Sequence, residues 1–255
     1  MNDRPTSFIW YELMTSDPQA AKTFYGTVVG WEAKAFGGGE DYSILEANGR
    51  GVGGLMETPE DALRAGAKPG WFGYIAVDDV DVAAQRIVEG GGKLYKDIMD
   101  VPTVGRIAMV ADPQGAPFYL IAPEGEDQPP VGEMTPGHIA WHELHTSDWQ
   151  AAFDFYSRHF GWAKGEAMDM GPMGIYQIFT AGSPNWTGAM FNADTFGRPG
   201  WLFYFVVGDI DEAVERVRSA GGEVIEGPME VPGSAWIIQG RDPQGAMFAL
   251  VGRRG

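Results

Sequence analysis

The chain contains no cysteine. That excludes disulfides, thiol nucleophiles and thiolate metal ligands, and it fits a cytoplasmic protein. Positive charge is also scarce: 18 Lys and Arg stand against 35 Asp and Glu, a formal net charge of −17 over 255 residues. A surface this acidic repels phosphate backbones and anionic membranes, so neither nucleic acid nor membrane is an expected partner. No stretch reaches the ~18 apolar residues of a membrane span, and MNDRPTSF at the N-terminus lacks the apolar region of a signal peptide. Histidine is nearly absent as well, and three of the four lie in HIAWHELH, His138 to His145. What the chain does have is apolar and turn-forming material, 44% hydrophobic and 13% aromatic residues with 37 glycines and 17 prolines. That suffices for two ordinary cores built from many strands and turns.

The sequence is one unit written twice. FIWYELMTSDPQAAKTFYGTVVGW (8–31) and IAWHELHTSDWQAAFDFYSRHFGW (139–162) align without a gap and agree at more than half of their positions. PGWFGYIAVDDVDVAAQRIVEGGG (69–92) repeats as PGWLFYFVVGDIDEAVERVRSAGG (199–222), and DPQGAPFYL (112–120) as DPQGAMFAL (242–250). A repeat of half the chain is a domain rather than a solenoid unit. This places a first domain over 1–124, an acidic, proline-rich linker over 125–136, and a second domain over 137–255. Within each copy the pattern itself runs twice. A strand comes first, from Phe8 to Met14. A helix follows, capped by Ser16 or Asp17 with Pro18 in its first turn, and Gly30 stops it. Further strands follow at 41–46 and 52–56, then a strand at 71–77, a helix from about Val80 to Glu89, and more strands around the turn at 112–115. Each copy is thus βαβββ twice. AFGGGED (35–41) and ANGRGVGG (47–54) lack the strand-to-helix setting of a phosphate loop and read as hairpin turns.

The pattern resembles the vicinal oxygen chelate superfamily of glyoxalases, bleomycin-resistance proteins and extradiol dioxygenases. SDPQAAKTFYGTVVGW and SDWQAAFDFYSRHFGW, VDDVDVAAQRIVEGGG and VGDIDEAVERVRSAGG, and the two DPQG turns carry the likeness. The resemblance implies an α+β fold in which each domain pairs its βαβββ modules in a curved sheet around a ligand-holding cup. The tandem chain would act as an intrachain pseudo-dimer, which leaves a homodimer open. It also implies where metal ligands would stand: Trp10 and Trp141, Leu55 or Met56 and Ala189 or Met190, Phe72 and Leu202, Tyr119 and Ala249. None of these is an ordinary donor to a divalent cation, and Tyr119 is a poor one unless deprotonated. No cofactor, and in particular no divalent metal, is therefore expected.

HELH is not the helical HExxH of zinc proteases. On a strand side chains alternate, so Trp141, Glu143 and His145 share one face and His142 takes the other. By the resemblance the first face lines the second cup, and Trp10, Glu12 and Met14 line the first. Phe72, Tyr74 and Tyr119 are expected ligand contacts in the first cup, and Tyr204 and Trp236 in the second. Trp71 and Trp201 should face the helices. Glu143 and His145 are the candidate acid/base pair, although a buried carboxylate also satisfies nearby donors without any chemistry. His142 should pack toward the helices or solvent, and His159 should contact a helix end. Three functions stay open: a metal-free small-molecule binder with aromatic cups, a glyoxalase-like lyase or isomerase using Glu143 and His145, and an interaction protein whose cups are closed.

Overall fold

The computed structural model of the chain describes residues 6–37, 41–125, 128–193 and 197–255. The glycine-rich tip of AFGGGED and two residues of the expected linker, Glu126 and Asp127, lie outside the described residues. In chain order the first copy holds β1 (Phe8–Thr15), α1 (Pro18–Val28), β2 (Glu32–Ala35), β3 (Tyr42–Ala47), β4 (Arg50–Glu57), α2 (Glu60–Arg64), β5 (Gly70–Ala76), α3 (Val80–Glu89), β6 (Lys93–Leu94), β7 (Met99–Val101), β8 (Gly105–Ala111) and β9 (Pro117–Pro123). The second holds β10 (Ile139–Thr146), α4 (Trp149–Phe160), β11 (Ala163–Asp169), β12 (Ile175–Thr180), β13 (Trp186–Asn192), β14 (Gly200–Asp209), α5 (Ile210–Ser219), β15 (Glu223–Val231), β16 (Ala235–Arg241) and β17 (Met247–Arg253), with a single 3₁₀ turn at Gly171–Met173. The βαβββ order is present in all four modules, with the third-module-strand position of the first copy split into β6 and β7. Two open sheets result, nine strands (β1–β9) and eight strands (β10–β17), giving the α+β class.

The compact units are composed differently from the copies. One comprises Met1–Ile9, Phe72–Pro130 and His142–Trp201; the other comprises Trp10–Trp71, Val131–Trp141 and Leu202–Gly255. They are called here the Asp112 unit and the Asp242 unit, after the aspartate of each DPQG turn. In the Asp112 unit, β11, β12, β13 and β10 run side by side, as do β5, β9 and β8 with β6 and β7 on its edge. In the Asp242 unit the runs are β2-β3-β4-β1 and β14-β17-β16-β15. The first strand of each module pairs in parallel with the last, and the successive strands that follow each helix pair antiparallel.

Local sequence explains the elements. Asp17 caps α1 by accepting from Ala20 N at 3.0 Å, and Asp148 caps α4 by accepting from Gln150 N and Ala151 N. Gly161 ends α4 in the left-handed conformation, φ 70°. Asn48 and Gly49 both take positive φ, as a tight hairpin between β3 and β4 requires. The repeated motifs then meet. In the Asp112 unit the Tyr156 hydroxyl donates to Asp112 Oδ2 (3.3 Å) and accepts from Trp201 Nε1 (3.1 Å), while Asp112 Oδ1 accepts from the backbone of Gln114, Gly115 and Ala116. In the Asp242 unit Tyr25 donates to Asp242 Oδ2 (3.1 Å) and accepts from Trp71 Nε1 (2.8 Å). Both tryptophans thus face helices, as the sequence predicts. Burial pushes both aspartates above the ordinary carboxylate range, against the pull of their backbone donors. DPQG, FY and PGW are the residues that join modules, and each tie takes its tyrosine from one copy and its aspartate from the other.

Candidate functional site

Sheet register places one row of side chains across four strands of the Asp112 unit. His145 on β10 lies opposite Phe191 on β13, their rings 4.7 Å apart. The Phe191 and Tyr176 rings are 5.4 Å apart, and Tyr176 on β12 pairs with Met168 on β11. Glu143 stands two residues before His145, on the same face. Its Oε1 accepts from the Tyr176 hydroxyl at 2.6 Å and its Oε2 from His145 Nε2 at 3.1 Å. An ionised carboxylate only accepts, so this contact pairs it with the imidazole tautomer protonated on Nε2. Glu143 is 5% exposed and His145 1% exposed, so this is a buried carboxylate with a donor on each oxygen. Such clamping compensates for much of the desolvation that would otherwise disfavour it. Chemically, the face offers an aromatic and thioether surface that ends in an imidazole oriented by a carboxylate.

The Asp242 unit builds the same row with different residues. Met14 on β1 pairs with Met56 on β4, Met56 with Tyr42 on β3, and the Tyr42 ring lies 6.0 Å from Phe36. Burial, and then the charge of Glu12 to which it hydrogen-bonds, push the Tyr42 hydroxyl well above the usual tyrosine range. Trp10 Nε1 donates to the Tyr42 oxygen at 3.3 Å. A side chain at Gly54 is excluded, because its Cβ would sit on the Tyr42 hydroxyl. Glu12 and Met14 are buried, and the histidine of the other row is replaced by a thioether.

The remaining expected contacts fall into separate groups. Tyr74 and Tyr119 stack face to face at 4.3 Å, and Phe72 meets Tyr119 edge-on, within the Asp112 unit. In the Asp242 unit Tyr204 accepts from Gln239 Nε2 at 3.2 Å. Register makes the two groups equivalent: Met109 faces Tyr119 across β8 and β9, and Gln239 faces Ala249 across β16 and β17. Trp141 is half-buried in the Asp242 unit. Trp236 is not brought to Tyr204 and Gln239. Three residues from Gln239 on an unbroken strand, it points from the opposite face. There Arg254, tied to Asp211 of α5 at 2.6 and 2.8 Å, covers its ring at 4.2 Å. Gln239 gave no signal in the sequence, and Tyr42 and Tyr176 lie on strands whose parity the sequence leaves open. The tyrosines had a signal, since YSIL and YQIF occupy equivalent places in the two copies.

The other histidines have structural settings. His142 is buried, not solvent-facing; it stacks on Phe8 at 4.8 Å and its Nδ1 donates to the Thr187 carbonyl at 2.7 Å. Burial depresses its pKa to about 4. Burial lowers His138 as well. His159 lies in the last turn of α4, where burial and then Arg158 and Arg86 hold it below the ordinary imidazole range.

The metal positions implied by the resemblance are Trp10 and Trp141, Leu55 or Met56 and Ala189 or Met190, Phe72 and Leu202, and Tyr119 and Ala249, where the Tyr119 phenol alone carries an oxygen donor. Beside Glu143 and His145 on β13 stand Ala189 and Phe191, and beside Glu12 and Met14 on β4 stand Gly54 and Met56. Among the described residues no three His, Asp or Glu side chains come together as ligands.

Comparison with known proteins agrees with this architecture. The chain is 33% identical over 246 residues to "Putative glyoxylase CFP32" of Mycobacterium tuberculosis, covering 95% of this chain and 93% of that protein. It is 30% identical over 270 residues to the anthracycline biosynthesis protein DnrV of Streptomyces peucetius, covering 97% and 93%. Among solved structures, the Mn(II)-bound glyoxalase from Novosphingobium aromaticivorans superposes with a TM-score of 0.65 at 16% identity, over 99% of this chain and 83% of that one. A variant of homoprotocatechuate 2,3-dioxygenase from B. fuscum superposes with a TM-score of 0.67 at 15% identity, over 98% and 72%. These two likenesses concern the fold. The family model matches twice, at residues 7–120 and 135–250, and the chain belongs to the Glyoxalase/Bleomycin resistance protein/Dioxygenase superfamily.

Proposed function

We propose that the chain binds a small, flat, oxygenated organic molecule against the His145 row, without a divalent metal. The observation that carries this reading is the row itself. Met168, Tyr176 and Phe191 offer polarizable and aromatic surface to a ring system, and Glu143 and His145 supply the few polar groups that fix a ligand's orientation. The likeness to an anthracycline biosynthesis protein supports a polycyclic aromatic ligand of that kind. Calorimetric titration with anthracycline-type quinones and simple catechols tests it, with binding weakened by Phe191→Ala as the expected result. No binding by any of them, or stoichiometric manganese, iron, nickel or zinc in purified untagged protein, overturns it.

The Tyr176–Glu143–His145 chain favours a second reading, a metal-free lyase or isomerase of glyoxalase-like type. An imidazole oriented by a buried carboxylate can take a proton from carbon beside a carbonyl and return it elsewhere. Glu143→Gln would then lower turnover by two or more orders of magnitude while binding persists. Turnover surviving in that variant removes the assignment.

A further inference from the structure

The Asp112 unit contains a cavity of about 200 Å³ that the His145 row does not use. Thr6, Asp78, Asp79, Arg86, His159 and Phe160 line it, all within the one unit. One end is basic. Arg86 has no ion-pair partner among the described residues, and His159 Nε2 is sheltered from solvent with no hydrogen-bond partner, against Gly90. Arg158 adds a further positive charge near the ring. In a chain of net charge −17, unneutralised basic groups around a buried, unsatisfied nitrogen are out of character. Such a nitrogen is costly unless an acceptor comes to it. The other end is acidic, at Asp78 and Asp79, where Asp79 caps α3. The two ends lie about seven residues apart along α3, roughly 10 Å at the helical rise.

In the Asp242 unit the equivalent arginine has partners of its own. There Arg216, the equivalent of Arg86, donates to the Val28 carbonyl at 3.2 Å, and Val28 occupies the position of His159. Arg216 also pairs with Glu212 at 3.7 Å. In the Asp112 unit Val82 stands where Glu212 would be, leaving the arginine to face the cavity.

We propose that this cavity is a second small-molecule site that takes a dipeptide-sized zwitterion, its carboxylate on Arg86 and His159 and its ammonium on Asp78 and Asp79. A single α-amino acid is too short to span both ends, and a simple anion would meet the two aspartates. ε-Aminocaproate has the required charge separation and serves as the probe. Calorimetric titration of the whole chain should give binding in the millimolar range, with caproate and hexylamine each weaker. Arg86→Gln and Asp78→Asn alter exposed side chains, and each should weaken the probe about tenfold, or about 1.4 kcal/mol. Saturation with the probe should also raise the pKa of His159, followed through its ring-proton resonance, because the carboxylate offsets Arg86 and Arg158. Caproate binding as tightly as ε-aminocaproate overturns the zwitterion. No heat with the probe, or affinity unchanged in both variants with melting intact, overturns the site.

Discussion

The His145 row and the Met14 row are the same construction carried to different chemical ends. Each sets a carboxylate beside a tyrosine across one intervening strand: Glu143 with Tyr176 over β13, and Glu12 with Tyr42 over β4. Around that shared pair the substituents differ. Met14 becomes His145, Met56 becomes Phe191, and Phe36 becomes Met168. The carboxylate–tyrosine pair therefore belongs to the architecture, while the imidazole belongs to one row alone. Where the copies agree, the residues hold modules together; where they part, one row sets an imidazole beside its carboxylate and the other a thioether. The comparison can be broken at several points.

The largest effect should come from the shared ties. Asp112→Ala and Asp242→Ala each strand a buried tyrosine hydroxyl and several backbone N–H groups, and each should cost about 4 kcal/mol in chemical denaturation. Losses differing by more than about 1 kcal/mol would show that the two ties are not equivalent.

Acid stability should separate the units next. His142 occupies the place that Tyr11 holds in the other copy, and its folded pKa is about 4 against an ordinary 6.5. Above pH 6.5 the imidazole is neutral in both states and contributes no pH dependence. As the pH falls from 6.5 toward 4 the unfolded chain takes up the proton first, so stability is lost across that window. The loss approaches about 3 kcal/mol by pH 4. His142→Tyr should remove this component, leaving the difference between the two stability–pH curves flat above 6.5 and widening below it. Parallel curves down to pH 4 would mean that the imidazole is not held neutral.

Function should divide along the rows themselves. His145→Met gives the Asp112 unit the residue of its counterpart and should weaken ligand binding about tenfold, or about 1.4 kcal/mol. Met14→Leu should leave binding unchanged. A matched loss in both variants would assign the ligand to both rows.

The sequence made much of this legible. The repeat, a helix cap at Ser16 or Asp17, the helix at Val80–Glu89 and the helix-facing tryptophans Trp71 and Trp201 follow from spacing and residue type, and the structure selects Asp17. Glu143 and His145 were placed on one face by alternation alone. Strand parity could not be carried further, because a bulge reverses it and nothing in residue type announces one. Register shifts occur between β12 and β13 at Phe179/Thr180 and twice between β15 and β16. Residue type therefore leaves the parity of Tyr42, Tyr176 and Trp236 open, and Trp236 lies on the face of β16 opposite Gln239, under Arg254. The exchange of modules between units was hidden for a different reason. Both copies carry the same tyrosine and aspartate, so the sequence cannot tell which tyrosine meets which aspartate.

The smallest effect concerns the glutamine of DPQG, where identical sequence has unequal surroundings. Gln114 Oε1 accepts from the Thr146 and Ser147 hydroxyls and from Asp148 N, and its Nε2 donates to the Asp148 carbonyl at 2.6 Å. Gln244 Oε1 is buried with no partner among the described residues. A side chain that ties a strand end to the cap of α4 should cost about 1 kcal/mol when cut to alanine, net of the hydration it regains. Removing an unsatisfied carbonyl relieves about as much desolvation as it loses in packing, so Gln244→Ala should be nearly neutral. Denaturation midpoints of the two variants measure the difference directly. Equal losses would mean that Gln244 finds in solution the partners its counterpart has, and that the two DPQG turns are alike after all.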